Sequence, residues 1–296
     1  IKIIRKALLV LSITGFLFIL FAILIGAKKI NFDSYSIFFG FGYAIAIIVG
    51  YSKCKKQNID KYDFLLLNIT LIISSIFGAR LFFAIFEYST YNQNPPFAFL
   101  SNPGIIFSAK GGFIIYGGLI FGFIGSFIHA KLLKLPIGKL SDIIAPSIGL
   151  GIFFGRLGCM LNGCCFGKQC KGLFSVNWKS FKKLTGAFEF HRFHSHGNDY
   201  SILNTQLISS LFGLILFIFL TYMFIKGFKL LRGLLIGIFF ISYSIFRFII
   251  EFFRADNPTS FFGLTFAQFI SILVFSLTTT LLFFSIKKRL KKYEKF

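Results

Sequence analysis

The amino-acid sequence predicts an all-α polytopic integral membrane protein: a bundle of seven to eight transmembrane helices with a small extracytoplasmic loop subdomain. Hydrophobic residues make up 56% of the chain, and the mean hydropathy is +0.79. Several apolar runs also exceed about 18 residues, the length that marks a membrane-spanning helix. We therefore expect residues 1–296 to form a single transmembrane domain.

Eight apolar segments are the predicted spans, and the first differs from the others. Basic residues precede it and no clean small-x-small cleavage site follows it, so we expect a retained anchor rather than a signal peptide. This extra span is added to a core of about residues 30–290. The predicted spans are 7–27, 35–51, 64–86, 113–133, 143–163, 202–225, 232–252 and 261–286.

The distribution of lysine and arginine predicts that both termini lie on the cytoplasmic side. With the N-terminus inside, the inner segments hold 19 basic residues and the outer loops hold 9. The net charge of +22 is then explained by topology and by contact with anionic lipid, and we expect no nucleic-acid partner. Loop 167–200 breaks this pattern. Its length, the only tryptophan and three histidines predict a folded extracytoplasmic insertion.

In this topology the costly polar residues of at least five helices lie at one depth, in the outer half of the membrane. An arginine at the centre of a span costs about 2.5–3.5 kcal/mol, and such charges usually face the interior of a bundle, where they pair. We therefore expect a buried polar site open to the outer leaflet. The residues at this depth are Tyr35, Arg80, Glu87, Tyr116, Arg156, Arg247, Glu251 and Arg254.

The charges of this group indicate an anion site. Arg247 and Glu251 are spaced i, i+4, so they could form a self-neutralising pair that only fixes helix packing. The four arginines, however, outnumber the two acids. Surplus guanidinium groups suit a phosphate, which arginine binds through two parallel hydrogen bonds. Glycines around Arg156 would let a ligand or another backbone approach closely.

Two further groups of residues leave alternatives open. The glycines of segment 111–118 fit either close helix packing or a ligand site. Cys164, Cys165 and Cys170 could form a disulfide, could bind zinc together with a histidine of loop 167–200, or could stay free thiols. The cysteine spacing fits no standard zinc pattern, and we expect no metal and no cofactor.

Three motifs resemble those of the prolipoprotein diacylglyceryl transferase family. The family pattern G-R-x-G-N-F-x-N-G-E-x-x-G corresponds to residues 155–167, G-G-x-x-x-H-G-G to residues 111–118, and Y-x-x-x-R-x-x-x-E-F-F-R to residues 243–254. The order and spacing match from about residue 30 to the end. Weaker matches are Tyr35-Ser, Gly78-Ala-Arg80, Thr205-Gln206-Leu207 and Gln268.

The sequence departs from the family pattern at several polar positions. Tyr116 replaces the motif histidine, Cys159 the motif asparagine and Cys164 the motif glutamate. Ile208 and Ser209 replace the last two residues of a Q-L-Y-E segment. The anion-binding arginines are kept, whereas the candidate proton-handling residues are changed.

The resemblance implies a transferase of lipoprotein biosynthesis in the bacterial inner membrane. It would transfer a diacylglyceryl group from phosphatidylglycerol to the lipobox cysteine of preprolipoproteins, which form a thioether as glycerol phosphate leaves. Its partners would be these two substrates and membrane lipids. The alternatives are a catalytically altered homologue that binds lipid, and a transporter of anions or anionic lipid. Carriers usually show internal repeats, and we find none.

The resemblance also implies a role for each candidate site residue. Arg156 and Arg247 would bind the phosphate, and Tyr116 would occupy the position of the family's candidate base. Arg80 and Arg254 would pair with Glu87 or Glu251. The expected substrate-binding residues are Arg156, Arg247, Tyr243, Tyr35, Asn162, Arg80, Glu251, Arg254, Gly117 and Gly167.

Overall fold

The computed structural model describes residues 34–87, 114–162, 164–177, 201–228, 231–255, 259–261 and 263–293. Several sequence predictions lie outside these residues. They are the span 7–27, the side chains of Tyr35 and Glu87, residues 111–113, Gly163, and residues 178–200 of the predicted loop subdomain.

Helices occupy all seven predicted spans that fall on described residues, which confirms the all-α membrane fold. Five helices are long and apolar enough to cross a bilayer, and α3 is a shorter apolar helix. One turn of π-helix, Phe83–Glu87, extends α2. The helices are α1 (Ser34–Gln57), α2 (Lys61–Phe82), α3 (Ile115–Leu132), α4 (Ile137–Leu161), α5 (Thr205–Lys226), α6 (Leu235–Glu251) and α7 (Phe266–Tyr293).

The described chain divides into two compact units, the first of which contains α2 and α3. Small residues let these helices pack closely. A Cβ atom on Gly117 would meet the carbonyl oxygen of Gly78 and the side chain of Phe82. The backbone N–H of Ile114 donates to the carbonyl of Ala79 at 3.2 Å. The start of α3 is therefore fixed on the end of α2.

The second unit contains α1 up to Ser52 and the chain from Gly138 onward. Gly149 of α4 and Gly213 of α5 lie against each other's backbone, so a Cβ on Gly149 would meet Gly213 O at 3.0 Å. The rings of Phe212 and Phe246 stack between α5 and α6, with centroids 3.9 Å apart. These contacts join the helices that carry the candidate site.

A buried carboxylate connects α4 to the beginning of α6. Asp142 accepts hydrogen bonds from the backbone N–H groups of Gly233 at 2.5 Å and Leu235 at 3.1 Å. The first N–H groups of a helix have no partner within the helix, and an aspartate supplies one. Asp142 therefore fixes where α6 begins.

Two small two-stranded antiparallel sheets were not predicted and shift two helix boundaries. Strand β1 (Ser175–Asn177) pairs antiparallel with β2 (Ser201–Leu203), and β3 (Thr259–Phe261) pairs with β4 (Leu264–Thr265). The expected starts of α5 at residue 202 and of α7 at residue 261 are therefore wrong, because strands β2 and β3 occupy these positions. The single-domain organisation stays a prediction.

The crossing of α4 and α5 yields a test of packing. Gly149→Ala should lower the thermal stability of the detergent-solubilised protein, because the new methyl group meets backbone atoms at 2.9–3.1 Å. Overpacking of this kind costs about 1–3 kcal/mol. Gly151→Ala, on the same helix with no atom within 4 Å of the new Cβ, is the matched control. Equal melting temperatures for the two variants would contradict the close crossing.

Candidate functional site

A buried glutamate lies at the centre of the candidate site in the second unit. Glu251 is the last residue of α6, and its side chain is 0% exposed. Its Oε2 atom lies 2.9 Å from Nη1 of Arg247 and 4.0 Å from Nε of Arg254. The nearer partner is thus Arg247, one helical turn earlier. One carboxylate therefore holds two guanidinium groups.

A capping box at the start of α7 orients this glutamate. Gln268 N–H donates to Thr265 Oγ1 at 3.3 Å, and Thr265 N–H donates to Gln268 Oε1 at 2.9 Å. This reciprocal pair is the capping box of a Thr-x-x-Gln sequence. The Thr265 hydroxyl also donates to Glu251 Oε1 at 3.0 Å. The residue that caps α7 therefore also holds the carboxylate of Glu251 in position for its ion pair with Arg247.

Thr265 is not among the residues predicted from the sequence, and Gln268 is only a weak match to the family pattern. The pattern Thr265-Phe-Ala-Gln268 before an apolar run does nevertheless predict a capping box at the start of a helix. Only the fold, however, brings the cap next to α6.

Arg156 joins the same charged group from α4. It interacts electrostatically with Tyr243 and Arg254, and Arg247 interacts in turn with Tyr243 and Arg156. Among the described residues, no acidic side chain forms an ion pair with Arg156. The part of the site that the structure describes thus brings together three arginines and one glutamate.

Backbone contacts fix Arg254 within this group. Lys168 N–H donates to Phe253 O at 2.8 Å, and Ala255 N–H donates to Phe166 O at 3.3 Å, which places Gly167 opposite Arg254. A Cβ on Gly167 would lie 2.8 Å from Leu203 Cβ. Close packing therefore accounts for the glycine at this motif position, and its substrate-binding role stays a prediction.

Two side chains at the start of α5 fix the turn that leads to Gly167. Gln206 Nε2 donates to the carbonyl of Cys164 at 2.5 Å, and the Thr205 hydroxyl donates to the carbonyl of Cys165 at 2.7 Å. Cys165 has a φ of 67°, a left-handed conformation that is uncommon for a residue other than glycine. The hydrogen bonds therefore stabilise a costly backbone geometry.

The thiols near this turn are grouped differently from the prediction. Cys159, Cys164 and Cys165 place their sulfur atoms within 4.8 Å of one another, and Cys170 does not belong to the group. All three are free thiols. Hydrogen bonds from Cys159 and Cys164, and then the charges of Arg254 and Arg156, lower the pKa of the Cys165 thiol. The group can thus hold a thiolate.

The remaining predicted residues have varied surroundings. In the second unit, Tyr243 is half-buried and stacks on Phe239 at 5.8 Å, and Asn162 lies in the turn that follows α4. In the first unit, Arg80 is half-buried near the end of α2, and Gly117 packs against that helix. Tyr116, in the first turn of α3, is 49% exposed. Their roles in the site stay predictions.

Comparison with known proteins identifies the family. The model of the prolipoprotein diacylglyceryl transferases matches residues 19–284. The chain belongs to this family. Three curated relatives carry the name phosphatidylglycerol–prolipoprotein diacylglyceryl transferase, the second of them with the suffix 2.

The relatives match over most of their own length. The Clostridium tetani protein is 29% identical over 80% of this chain and 87% of its own. The Clostridium perfringens protein is 28% identical over 81% and 86%. The Clostridium botulinum protein from strain Hall is 30% identical over 88% and 94%. The family match over residues 19–284 includes the helices that carry the arginine group.

The cap–glutamate contact yields a matched pair of variants. Thr265→Val keeps the side-chain shape but removes both the cap bond from Gln268 N–H and the hydroxyl donor to a buried oxygen of Glu251, which should cost about 1–3 kcal/mol of stability. Thr265→Ser keeps the hydroxyl and should stay close to wild type. Melting temperatures in detergent measure the difference. If valine and serine gave the same melting temperature, Thr265 would not support Glu251.

Proposed function

We propose that this protein transfers a diacylglyceryl group from phosphatidylglycerol to the lipobox cysteine of preprolipoproteins, in the bacterial inner membrane. Family membership and the names of the relatives support this activity. The observation that carries the proposal is the surplus of positive charge on motif residues. Arg247 and Arg254 share the carboxylate of Glu251, and Arg156 interacts electrostatically with both of these arginines.

The proposed reaction is a displacement at carbon. The thiolate of the substrate cysteine attacks the diacylglyceryl carbon that carries the phosphate ester. A carbon–sulfur bond forms, the carbon–oxygen bond breaks, and glycerol phosphate leaves with the bonding electrons. Because negative charge accumulates on the leaving phosphate, fixed positive groups in a water-poor site stabilise the transition state.

Arg156 and Arg247 are the residues we assign to this phosphate. A guanidinium has five N–H donors in a fixed fork, so Arg247 can keep its bond to Glu251 and still offer donors to a ligand. Arg156 has no acidic partner among the described residues and can direct its whole fork to the phosphate. Arg254 and Glu251 hold the group in position. Tyr243 and Asn162 offer hydrogen bonds to the glycerol headgroup.

The substrate thiol must lose its proton during the reaction. An unperturbed phenol has a pKa of about 10 and an unperturbed thiol about 8.5, so a tyrosine is a poor base for a cysteine. We infer that the arginines lower the pKa of the substrate thiol directly, since nearby positive charge favours a thiolate. In this account Tyr116 hydrogen-bonds the lipid headgroup and accepts no proton.

Both substrates are held in the membrane, which sets a condition on the site. The lipid and the tethered signal peptide must each enter sideways from the bilayer. We therefore propose that the arginine group faces the outer leaflet, as the distribution of basic residues predicts. Arg80, Tyr35, Gly117 and Gly167 complete the proposed lipid-binding set.

The main test combines genetics with a direct assay. The wild-type chain should restore growth to a strain depleted of its own transferase. The purified protein should release glycerol phosphate from phosphatidylglycerol only when a lipobox peptide with a free cysteine is present. Lipid binding without either result would instead identify a catalytically altered homologue, an alternative motivated by Tyr116, Cys159 and Cys164.

The charge assignment yields a prediction for Arg156. Arg156→Ala should reduce the transfer rate by about 10²–10³-fold, as the loss of one fixed donor to a transition-state anion does. Arg156→Lys should also reduce it, because lysine lacks the planar fork. The exposed Arg232 provides a matched control, and Arg232→Lys should leave the rate unchanged. Wild-type transfer by purified Arg156→Ala would refute the assignment.

The proton account yields a prediction for Tyr116. Tyr116→Phe removes only the hydroxyl and should retain substantial activity, with a pH profile that rises as a thiol ionises. Activity is measured against pH with purified protein, and phosphatidylglycerol binding is measured in parallel. A loss of several orders of magnitude with intact lipid binding would make Tyr116 the base.

A further inference from the structure

The cluster of Cys159, Cys164 and Cys165 has no part in the proposed transfer reaction. Its three sulfur atoms lie within 4.8 Å of one another. Sulfur atoms bound to one zinc ion at about 2.3 Å are roughly 4 Å apart, so small side-chain movements would bring all three onto one ion. The sequence spacing alone did not predict this, because it pointed to Cys170 instead of Cys159.

Three separate contacts hold the sulfur-bearing backbone in place. Cys159 lies in the last turn of α4, and the N–H of Cys164 donates to its carbonyl at 3.1 Å. Gln206 and Thr205 hold the carbonyls of Cys164 and Cys165. The group is therefore largely preformed, which reduces the ordering cost of binding a ligand.

The charges around the cluster favour an anionic complex. Three thiolates around a divalent ion carry a net charge of −1, and around a monovalent ion −2. Burial of such a complex requires nearby positive charge. Arg254 and Arg156 both interact electrostatically with Cys165. They supply the compensating charge without a further ligand.

We propose that Cys159, Cys164 and Cys165 bind one thiophilic d¹⁰ metal ion, such as Zn²⁺ or Cu⁺, through three thiolates. Soft thiolate ligands select ions of this class. A disulfide would use only two of the three sulfur atoms and leave the third thiol unbound. An ion uses all three and fixes the turn that leads to Gly167. The proposal does not rest on the transfer activity, because binding is measured directly.

The test uses the full chain, reduced and freed of metal in detergent. Competition with a chromogenic zinc chelator, and separately with a Cu⁺ chelator under anaerobic conditions, should show one ion bound per chain. X-ray absorption should find a shell of three sulfur ligands. Cys159→Ser, Cys164→Ser and Cys165→Ser should each weaken binding by more than the 10–100-fold typical of losing an outer-shell partner. Cys170→Ser should bind like wild type.

Each contrary result has a definite meaning. Failure of the wild type to compete for either ion would overturn the proposal. The proposal would also be overturned if Cys159→Ser kept the shell of three sulfur ligands. Equal loss of metal affinity in Cys170→Ser and in the three cluster variants would contradict it as well. Melting temperatures of the metal-free variants show whether a serine has only unfolded the turn. A disulfide between two of the three cysteines, found by mass analysis of protein purified without reductant and resistant to metal, would assign the cluster to redox chemistry instead.

Discussion

The balance of buried charge around Glu251 is the constraint on which the described site depends. An unpaired ion in a low-dielectric interior costs several kcal/mol, and breaking a buried pair leaves that cost uncompensated. Glu251 is fully buried and makes one short contact with Arg247 and a longer one with Arg254. The ion pair of Arg247 and Glu251 is neutral, and Arg254 already adds one positive charge to it. Arg156 adds positive charge that no described acid balances, and an anionic ligand would supply the missing charge.

Local backbone structure holds this charge balance in place. The same hydroxyl of Thr265 accepts the cap bond of α7 and donates to Glu251, so the start of one helix and the end of another are fixed together. Gly167 lies against Leu203 and forms a backbone bridge with Arg254. The first contact uses the hydroxyl of Thr265, and the second uses the backbone beside Arg254. They therefore set the geometry of the guanidinium groups without using donors that a ligand needs.

The helices and the charged helix face could be predicted from sequence because both depend on local patterns. Apolar length fixes the spans, and the i, i+4 spacing of Arg247 and Glu251 fixes their contact. The two-stranded sheets could not be predicted, because strands of two or three residues are too short to show an alternation of polar and apolar positions. The grouping of the three thiols could not be predicted either, because Cys165 adopts a left-handed backbone conformation that the sequence does not indicate.

The cysteines that replace family motif residues change the charge balance near the arginines. The family motif has a glutamate at position 164, where this chain has a cysteine whose sulfur lies within 4.8 Å of the Cys165 sulfur. Taken alone, this exchange leaves the site more cationic. A thiolate on Cys165 returns one negative charge beside Arg254 and Arg156, and so does a divalent ion bound to three thiolates; a monovalent ion would return two. The cysteines would then replace the electrostatic role of the glutamate while changing its chemistry, which lets the arginine group keep its balance.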